Sequence, residues 1–403
     1  MIYRLDLRKY VSPGVDNNTP FYRWYIYKHG YSRKLVHEII SLLGLKKGQK
    51  VLDPFCGGGT TLLATSELHI KCVGYDIMPF AVFVSNSKLL RPSVRDIETY
   101  ERKFLHMTSH LTEEAANFDV ITIQKAFDES TLNLLLNIKE RVEGIRNDDV
   151  RSVLKLAFLK TVDFASKAKK SGGFLRISKQ RCPSERAIID HFNETVLMIK
   201  SDIQNNEIHV NGNAQAYLGD SRDLPNGQTF DAVISSPPYP NRHDYTRVYL
   251  LEEILGFSES NSEIKKLRYR TLRSHVEARK QFDADGYEQP QELKRILNRL
   301  NNRELNNENI VEMLKGYFED MYLTFKGIKR VLKRGGKVAF VISNARYAGI
   351  SIPTDELMLK VGEMAGLNPL GLYVLRYRGN SAQQVANYKR NPSRESLIML
   401  KQY

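Results

Sequence analysis

Two adjacent prolines in the second half of the chain constrain its fold more than any other feature. They follow an apolar run at residues 232–234, which predicts a short buried strand. Pro237 and Pro238 fix φ and lack an N–H donor, so the hydrogen-bond ladder of a sheet cannot continue through them. Ser236 and Tyr239 are therefore predicted to lie in a stiff loop just after a strand. In open α/β sheets ligands bind at that end of the strands, although a turn without any function would have the same sequence.

A second strand end, rich in glycine, comes earlier in the chain. The strand predicted over residues 51–53 leads through Gly57-Gly58-Gly59 into a helical pattern, which Thr60 or Thr61 is predicted to cap. Glycine tolerates positive φ and lets the backbone approach a ligand closely. Leu62 stands where the dinucleotide-binding motif needs its third glycine, and no Gly-Lys-Ser/Thr follows. The loop is therefore not a nucleotide-binding P-loop.

Together the two stretches resemble the S-adenosylmethionine-dependent DNA amino-methyltransferases, which methylate exocyclic amines of bases. In that family an Asp-Pro-Phe-x-Gly-x-Gly motif binds the cofactor, and an (Asp/Asn/Ser)-Pro-Pro-(Tyr/Phe/Trp) loop holds the target base. Here the motifs read Asp53 to Gly59 and Ser236 to Tyr239. The resemblance implies an α/β fold, with a Rossmann-like methyltransferase sheet and largely helical insertions, and S-adenosyl-L-methionine as the cofactor.

The resemblance also implies roles for individual residues. Asp76, after the second predicted strand, would accept from the ribose hydroxyls, although an Asp just before Pro79 could also cap a helix. Asp220 would accept from the adenine amine of the cofactor. The expected cofactor-binding residues are Asp53, Pro54, Phe55, Cys56, Gly57, Gly59, Thr60, Asp76 and Asp220. The expected catalytic residues are Ser236, Pro237, Pro238 and Tyr239.

The first residue of the base-binding loop bears on the substrate. Ser is commonest there in cytosine-N4 enzymes, whereas Asp or Asn is commoner in adenine-N6 enzymes, so Ser236 favours cytosine. An adenine-N6 DNA enzyme, an RNA guanine-N2 methyltransferase and a non-catalytic DNA-binding protein remain alternatives. The chemistry requires no metal, no cysteine nucleophile and no Ser-His-Asp triad. His243 could serve as a general base, but a surface or phosphate-contacting position is the prediction.

Charge and cysteine content indicate the partner and the compartment. A net charge of +14 suits a polyanion, and with a base-binding loop it predicts double-stranded DNA as the partner. A restriction endonuclease acting on the same site is a further candidate partner. The sequence contains no run of 18 apolar residues, so we predict no membrane span. The three scattered cysteines argue against a zinc site and suit a prokaryotic cytoplasm, where the protein would associate with the nucleoid.

The alternation of strand and helix patterns is interrupted twice. It predicts a catalytic domain in three parts, namely 1–96 with the cofactor loop, 214–257 with the base-binding loop, and 311–403. Residues 97–213 form a helical insertion that is a candidate target-recognition region, and residues 258–310 form a basic helical insertion.

Both insertions contain basic stretches that are predicted to contact DNA. Residues 151–200 hold eleven Lys or Arg against four Asp or Glu, and 264–280 hold seven against the single acid Glu277. Solvated helical faces would have the same composition. The aromatic-rich segment 10–30 is either core or a cover for the methionine end of the cofactor, and the polar segment 379–394 is expected over the cleft.

Overall fold

A computed structural model describes the chain except for residues 105–120, 206, 207, 209, 211, 259, 280 and 380–391. Most of the polar segment 379–394 therefore lies outside the described residues. Among the described residues, every helix is too short or too polar to cross a bilayer.

In the described part of the chain, eight strands form one mixed sheet, and four more form two hairpins. The sheet contains β1 (Ile2–Tyr3), β2 (Lys50–Asp53), β3 (Lys71–Asp76), β6 (Ala214–Leu218), β7 (Phe230–Ser235), β8 (Leu332–Ser343), β11 (Asn368–Arg378) and β12 (Ser393–Lys401). Their order is β1-β11-β12-β8-β7-β2-β3-β6. The strands from β8 to β6 are parallel, and β12 is antiparallel to both of its neighbours. The hairpins are β4 (Ala168–Ser171) with β5 (Phe174–Ile177) and β9 (Ala345–Tyr347) with β10 (Ile350–Ile352).

Helices cover both faces of the sheet and build the insertions. They are α1 (Arg33–Leu43), α2 (Thr60–Glu67), α3 (Pro79–Ser87), α4 (Val94–Phe104), α5 (Ile121–Ala126), α6 (Glu129–Glu143), α7 (Asp148–Ala165), α8 (Glu185–Asn205), α9 (Tyr245–Val248), α10 (Leu250–Gly256), α11 (Asn261–Arg270), α12 (Gln291–Asn301), α13 (Ile310–Val331) and α14 (Thr354–Met364). Three short 3₁₀ helices, Leu5–Val11, Pro13–Asp16 and Tyr22–Trp24, lie in the N-terminal segment.

The strands at the centre of the sheet follow from their sequences. Val51 and Leu52 of β2 and residues 232–234 of β7 are buried, as expected for parallel strands covered on both faces. The prolines end β7 at Ser235, as predicted. Helix α2 begins at Thr60 with Gly59 at its N-cap in the left-handed region (φ 77°), so the prediction that a threonine caps this helix is wrong.

The helical insertions share hydrophobic cores with the segments around them. Leu293 and Leu297 of α12 lie in one cluster with Leu314 and Phe318 of α13. In the same way, α6, α7 and α8 pack with α3 and α10 in a second cluster. The boundaries at 96, 213, 257 and 310 therefore stay predictions, because no gap in the packing marks them.

A buried carboxylate joins the first insertion to the N-terminal segment. Asp202 of α8 accepts hydrogen bonds from the backbone N–H of Phe21 (3.2 Å), from Nε1 of Trp24 (2.9 Å) and from Nε of Arg23 (3.0 Å). These donors lie about 180 residues earlier in the chain. The aromatic segment is thus held in place by the far end of the insertion.

The basic stretch 264–280 is not one exposed cationic face. Arg273 is buried, with its Nη2 2.6 Å from Asp320 on α13, and Nε of Arg268 lies 3.0 Å from the buried Asp244. The charges of these two arginines balance carboxylates within the fold, and DNA contact by this stretch stays a prediction. Lys265 and Lys266 remain exposed.

Candidate active site

The carboxyl ends of four neighbouring parallel strands surround one cleft of about 930 Å³, here named the first cleft. β7, β2 and β3 lie side by side, so their ends bring both sequence motifs together. The predicted site residues that line the first cleft are Asp53, Pro54, Phe55, Cys56, Gly57, Thr60, Asp76, Asp220, Ser236 and Pro238.

Asp76 at the end of β3 fixes the glycine loop. Its carboxylate accepts from the backbone N–H of Gly57 (2.9 Å) and from that of Met78 (3.0 Å), which precedes α3. Burial raises the pKa of Asp76 above its usual value. A carboxylate offers about four acceptor positions, so this one can serve the loop and still accept from a ligand in the cleft.

Asp53 links the two motifs directly. Its Oδ1 accepts from the hydroxyl of Ser235 (2.5 Å), at the end of β7, and from the backbone N–H of Phe55 (3.1 Å). The side chain is buried, and burial raises its pKa to about 6. The glycine loop and the base-binding loop are therefore connected through one titratable group.

Asp220 is already engaged with a neighbouring arginine. Its carboxylate accepts from Nε (2.9 Å) and Nη2 (2.8 Å) of Arg222, whose Nη1 reaches Asp320 (2.9 Å). A bidentate pair of this kind orients the carboxylate. Asp220 is thus held in a fixed position at the wall of the first cleft.

A second cleft of about 850 Å³ opens beyond the base-binding loop. It is lined by Tyr239, Asn241, His243 and Glu395, among others. Five residues line both clefts: His29, Gly30, Tyr31, Ser236 and Tyr245. The hydroxyls of Ser236 and Tyr239 lie 3.2 Å apart. The two clefts therefore meet at Ser236.

Three predicted site residues do not line the first cleft. Tyr239 lines the second cleft, and Pro237 lines neither. Gly59 faces α3 instead, where a Cβ would lie 2.8 Å from the Cα of Ser85. Gly59 is therefore needed for close packing and for its positive φ, and its cofactor role stays a prediction.

The N-terminal segment supplies one wall that the motifs did not reveal. Tyr27 stacks on Tyr249 with ring centroids 4.4 Å apart, and both rings are buried. The hydroxyl of Tyr31 lies 2.5 Å from that of Thr61 on α2. Tyr27 and Tyr31 also line the first cleft, so the aromatic segment is core and borders the cleft. That it covers the methionine end of the cofactor stays a prediction.

Two histidines beside the base-binding loop were also unexpected as a pair. The rings of His29 and His243 lie 5.0 Å apart at the second cleft. Burial lowers the pKa of His29 to about 3 and that of His243 to about 4, so both are neutral at pH 7. His243 is half-buried and lines the second cleft, and its contact with a phosphate stays a prediction.

The second insertion contributes residues that no motif indicated. Thr271, Leu272, Ser274 and His275 follow α11 and line the first cleft. The described residues form no group of three or more His, Cys, Asp or Glu side chains suited to a metal ion.

Comparison with known proteins identifies the family. A sequence model described as DNA methylase matches residues 9–86. The Type II methyltransferase M.BsoBI of Geobacillus stearothermophilus is 32% identical over 97% of this chain and 87% of its own length. M.AvaI of Nostoc sp. is 30% identical over 97% and 88%, and M.MvaI of Kocuria varians is 23% identical over 95% and 91%. The chain therefore belongs to the S-adenosylmethionine-dependent DNA amino-methyltransferases.

Proposed function

We propose that this protein methylates the N4 amine of a cytosine in double-stranded DNA, as the modification enzyme of a restriction-modification system. The observation that carries the proposal is the meeting of the two clefts at Ser236. A cofactor in the first cleft and a base in the second would adjoin at that residue. The relatives' names, Type II methyltransferases, support the biological setting.

The first cleft suits S-adenosylmethionine in its donor set. Asp76 offers acceptors to ribose hydroxyls, and Asp220 offers them to an adenine amine. Gly57, with φ of 47°, leaves backbone rather than side chain at the wall of the cleft. Asp53 to Gly57 and Thr60 complete that wall. When bound, the cofactor supplies a methyl group on a positively charged sulfur.

The base-binding loop would orient the amine for transfer. A base inside a duplex is out of reach, so the cytosine is turned out of the stack into the second cleft. The lone pair of its amine is delocalised into the ring and must be aimed at the methyl group, mainly by positioning. The Ser236 hydroxyl and the Pro237 carbonyl accept the two amine hydrogens, Tyr239 stacks on the ring, and Pro238 keeps the loop rigid.

The choice of cytosine rests on the side chain of Ser236. A serine hydroxyl is neutral, and the loop from Ser236 to Pro240 has no carboxylate.

Mass spectrometry of hydrolysed DNA after treatment with the enzyme tests the proposal. We expect N4-methylcytosine. Methyl groups found only on adenine N6 would contradict the choice of base, and methylated RNA with unmethylated DNA would contradict the substrate as well.

Ser236→Ala tests the assigned role of the loop. The variant keeps the Pro237 carbonyl and Tyr239, so cofactor and DNA binding should persist while turnover falls by about 10²–10³-fold, or about 2.7–4 kcal/mol. Ser41→Ala, at an exposed position of α1, is the matched control. Unchanged turnover in Ser236→Ala would remove Ser236 from the reaction.

A further inference from the structure

The β4–β5 hairpin has one face that is wholly exposed. Lys169 pairs with Arg176 and Ser171 with Phe174, so these four side chains lie on the same face, and all four are exposed. Phe174 is 53% exposed. The other face includes Ala168 and Leu175, which pack against the protein. The hairpin thus presents two cations and an aromatic ring to solvent.

The two cations face each other without a compensating acid. Like charges directly opposite in a sheet destabilise it. The flanking Lys167 pairs with Asp128, and Lys170 pairs with Asp163 and Glu252. Within the described part of the chain, Lys169 and Arg176 form no such pair. A phosphate between them would relieve the repulsion.

The tip of the hairpin adjoins the second cleft. Gly172 lines that cleft together with His29 and His243. A Cβ on Gly173 would lie 2.8 Å from the Cα of His243, so the tip fits closely against the base-binding loop. The position of the exposed face is therefore fixed relative to Ser236 and Tyr239.

We propose that the exposed face of the β4–β5 hairpin binds double-stranded DNA beside the flipped nucleotide. Lys169 and Arg176 contact phosphates, and Phe174 stacks on a base next to the gap that the flipped nucleotide leaves. Cationic side chains interleaved with an aromatic ring suit this ligand, because cations neutralise the backbone and aromatic rings stack on bases. The inference rests on the proposed function in that it takes the second cleft as the base pocket.

Charge reversal tests the phosphate contacts. The probe is a 30-base-pair duplex containing the methylated site, which is found by sequencing DNA from cells that express the protein. For Lys169→Glu combined with Arg176→Glu, we expect affinity in 0.1 M salt to fall roughly 60-fold or more, and the slope of log affinity against log salt to decrease by about 1.8. Lys46→Glu with Lys47→Glu, in the exposed turn before β2 at the opposite edge of the sheet, is the matched control.

Phe174→Ala tests the stacking contact. We expect binding to weaken about 5- to 150-fold with an unchanged salt slope, and the defect to shrink when the target cytosine is mispaired, because a mispaired base is easier to flip. Tyr403→Ala removes another exposed ring, beyond the far end of β12, and should have no effect.

The proposal is wrong if the Lys169/Arg176 variant has the same DNA affinity and the same salt slope as the Lys46/Lys47 control. This test is independent of the choice of base. If the hairpin variants lose DNA binding and the wild type methylates adenine N6, only the proposal of cytosine as the target base is wrong. If the variants bind DNA normally and the product is N4-methylcytosine, only the proposal of DNA contact by the hairpin is wrong.

Discussion

The buried carboxylate of Asp53 makes the stability of this protein depend on pH in a direction opposite to that of most aspartates. Only 2% of the residue is exposed, and its pKa is raised by burial from 3.8 to about 6. Below about pH 3 Asp53 is mostly protonated in the folded and the unfolded chain. Between about pH 3 and pH 6 the unfolded chain loses this proton first, so the folded state is progressively destabilised.

The magnitude follows from the difference between the two pKa values. Raising the pKa from 3.8 to about 6 shifts it by 2.2, and at 1.36 kcal/mol per unit this costs about 3 kcal/mol above pH 6. Asn has nearly the same shape and can accept from Ser235, but it does not titrate. The free energy of unfolding of Asp53→Asn, relative to wild type, should therefore rise by about 2.4 kcal/mol from pH 4 to pH 7, because the unfolded aspartate is already partly ionised at pH 4.

Urea unfolding of both proteins at pH 4, 5, 6 and 7 measures this difference. Asp231→Asn is a control for which the change of stability with pH should have the opposite sign. Burial opposes the ionisation of Asp231 too, but Lys333 and the backbone N–H of Lys50 hold its pKa below the usual value. Asp231→Asn should therefore lose stability relative to wild type as pH rises. A difference for Asp53→Asn that stays constant, or falls with pH, would refute the reasoning.

Three further tests concern the cofactor loop, the arginine network and the second insertion. Gly57→Val forces a branched side chain into a positive φ, 3.3 Å from the ring of Tyr27, and should abolish S-adenosylmethionine binding in calorimetry while the fold persists; unchanged affinity would contradict the assignment. Arg273→Ala removes one of the two arginine side chains paired with Asp320 and should lower the free energy of unfolding by about 3 kcal/mol in urea. Lys266→Ala should change it by less than about 0.5 kcal/mol. Lys265→Glu with Lys266→Glu should reduce the salt slope of DNA binding by about 1.8 and leave cofactor affinity unchanged; an unaltered slope would mean that this face is only solvated.

Local chemistry explains what could be predicted from the sequence. Proline cannot continue a ladder, so the end of β7 is determined by Pro237 and Pro238 alone. Ser32 caps α1, because its hydroxyl accepts from the backbone N–H of Leu35 (3.3 Å), and serine before an apolar helical pattern is a common N-cap. The first cleft could be expected because both motifs follow parallel strands, and such strands end at the same edge of the sheet.

What could not be predicted depends on partners far away in the chain. Arg273 looks like a DNA contact within its basic stretch, but its carboxylate partner Asp320 lies 47 residues later. The neutrality of His243 likewise results from burial, which no neighbouring residue indicates. The β4–β5 hairpin has only four residues in each strand, too few for a clear alternation of polar and apolar positions.

The hydrogen bonds to Asp202 delay the formation of one wall of the first cleft during synthesis. Phe21, Arg23 and Trp24 leave the ribosome about 180 residues before the carboxylate that holds them. At the usual rate of translation this delay is on the order of ten to thirty seconds. Until α8 emerges, a nascent chain has the complete glycine loop but lacks the anchor for the segment that carries Tyr27 and Tyr31. The ability to bind cofactor therefore arises late in synthesis, although every residue of the glycine loop is made early.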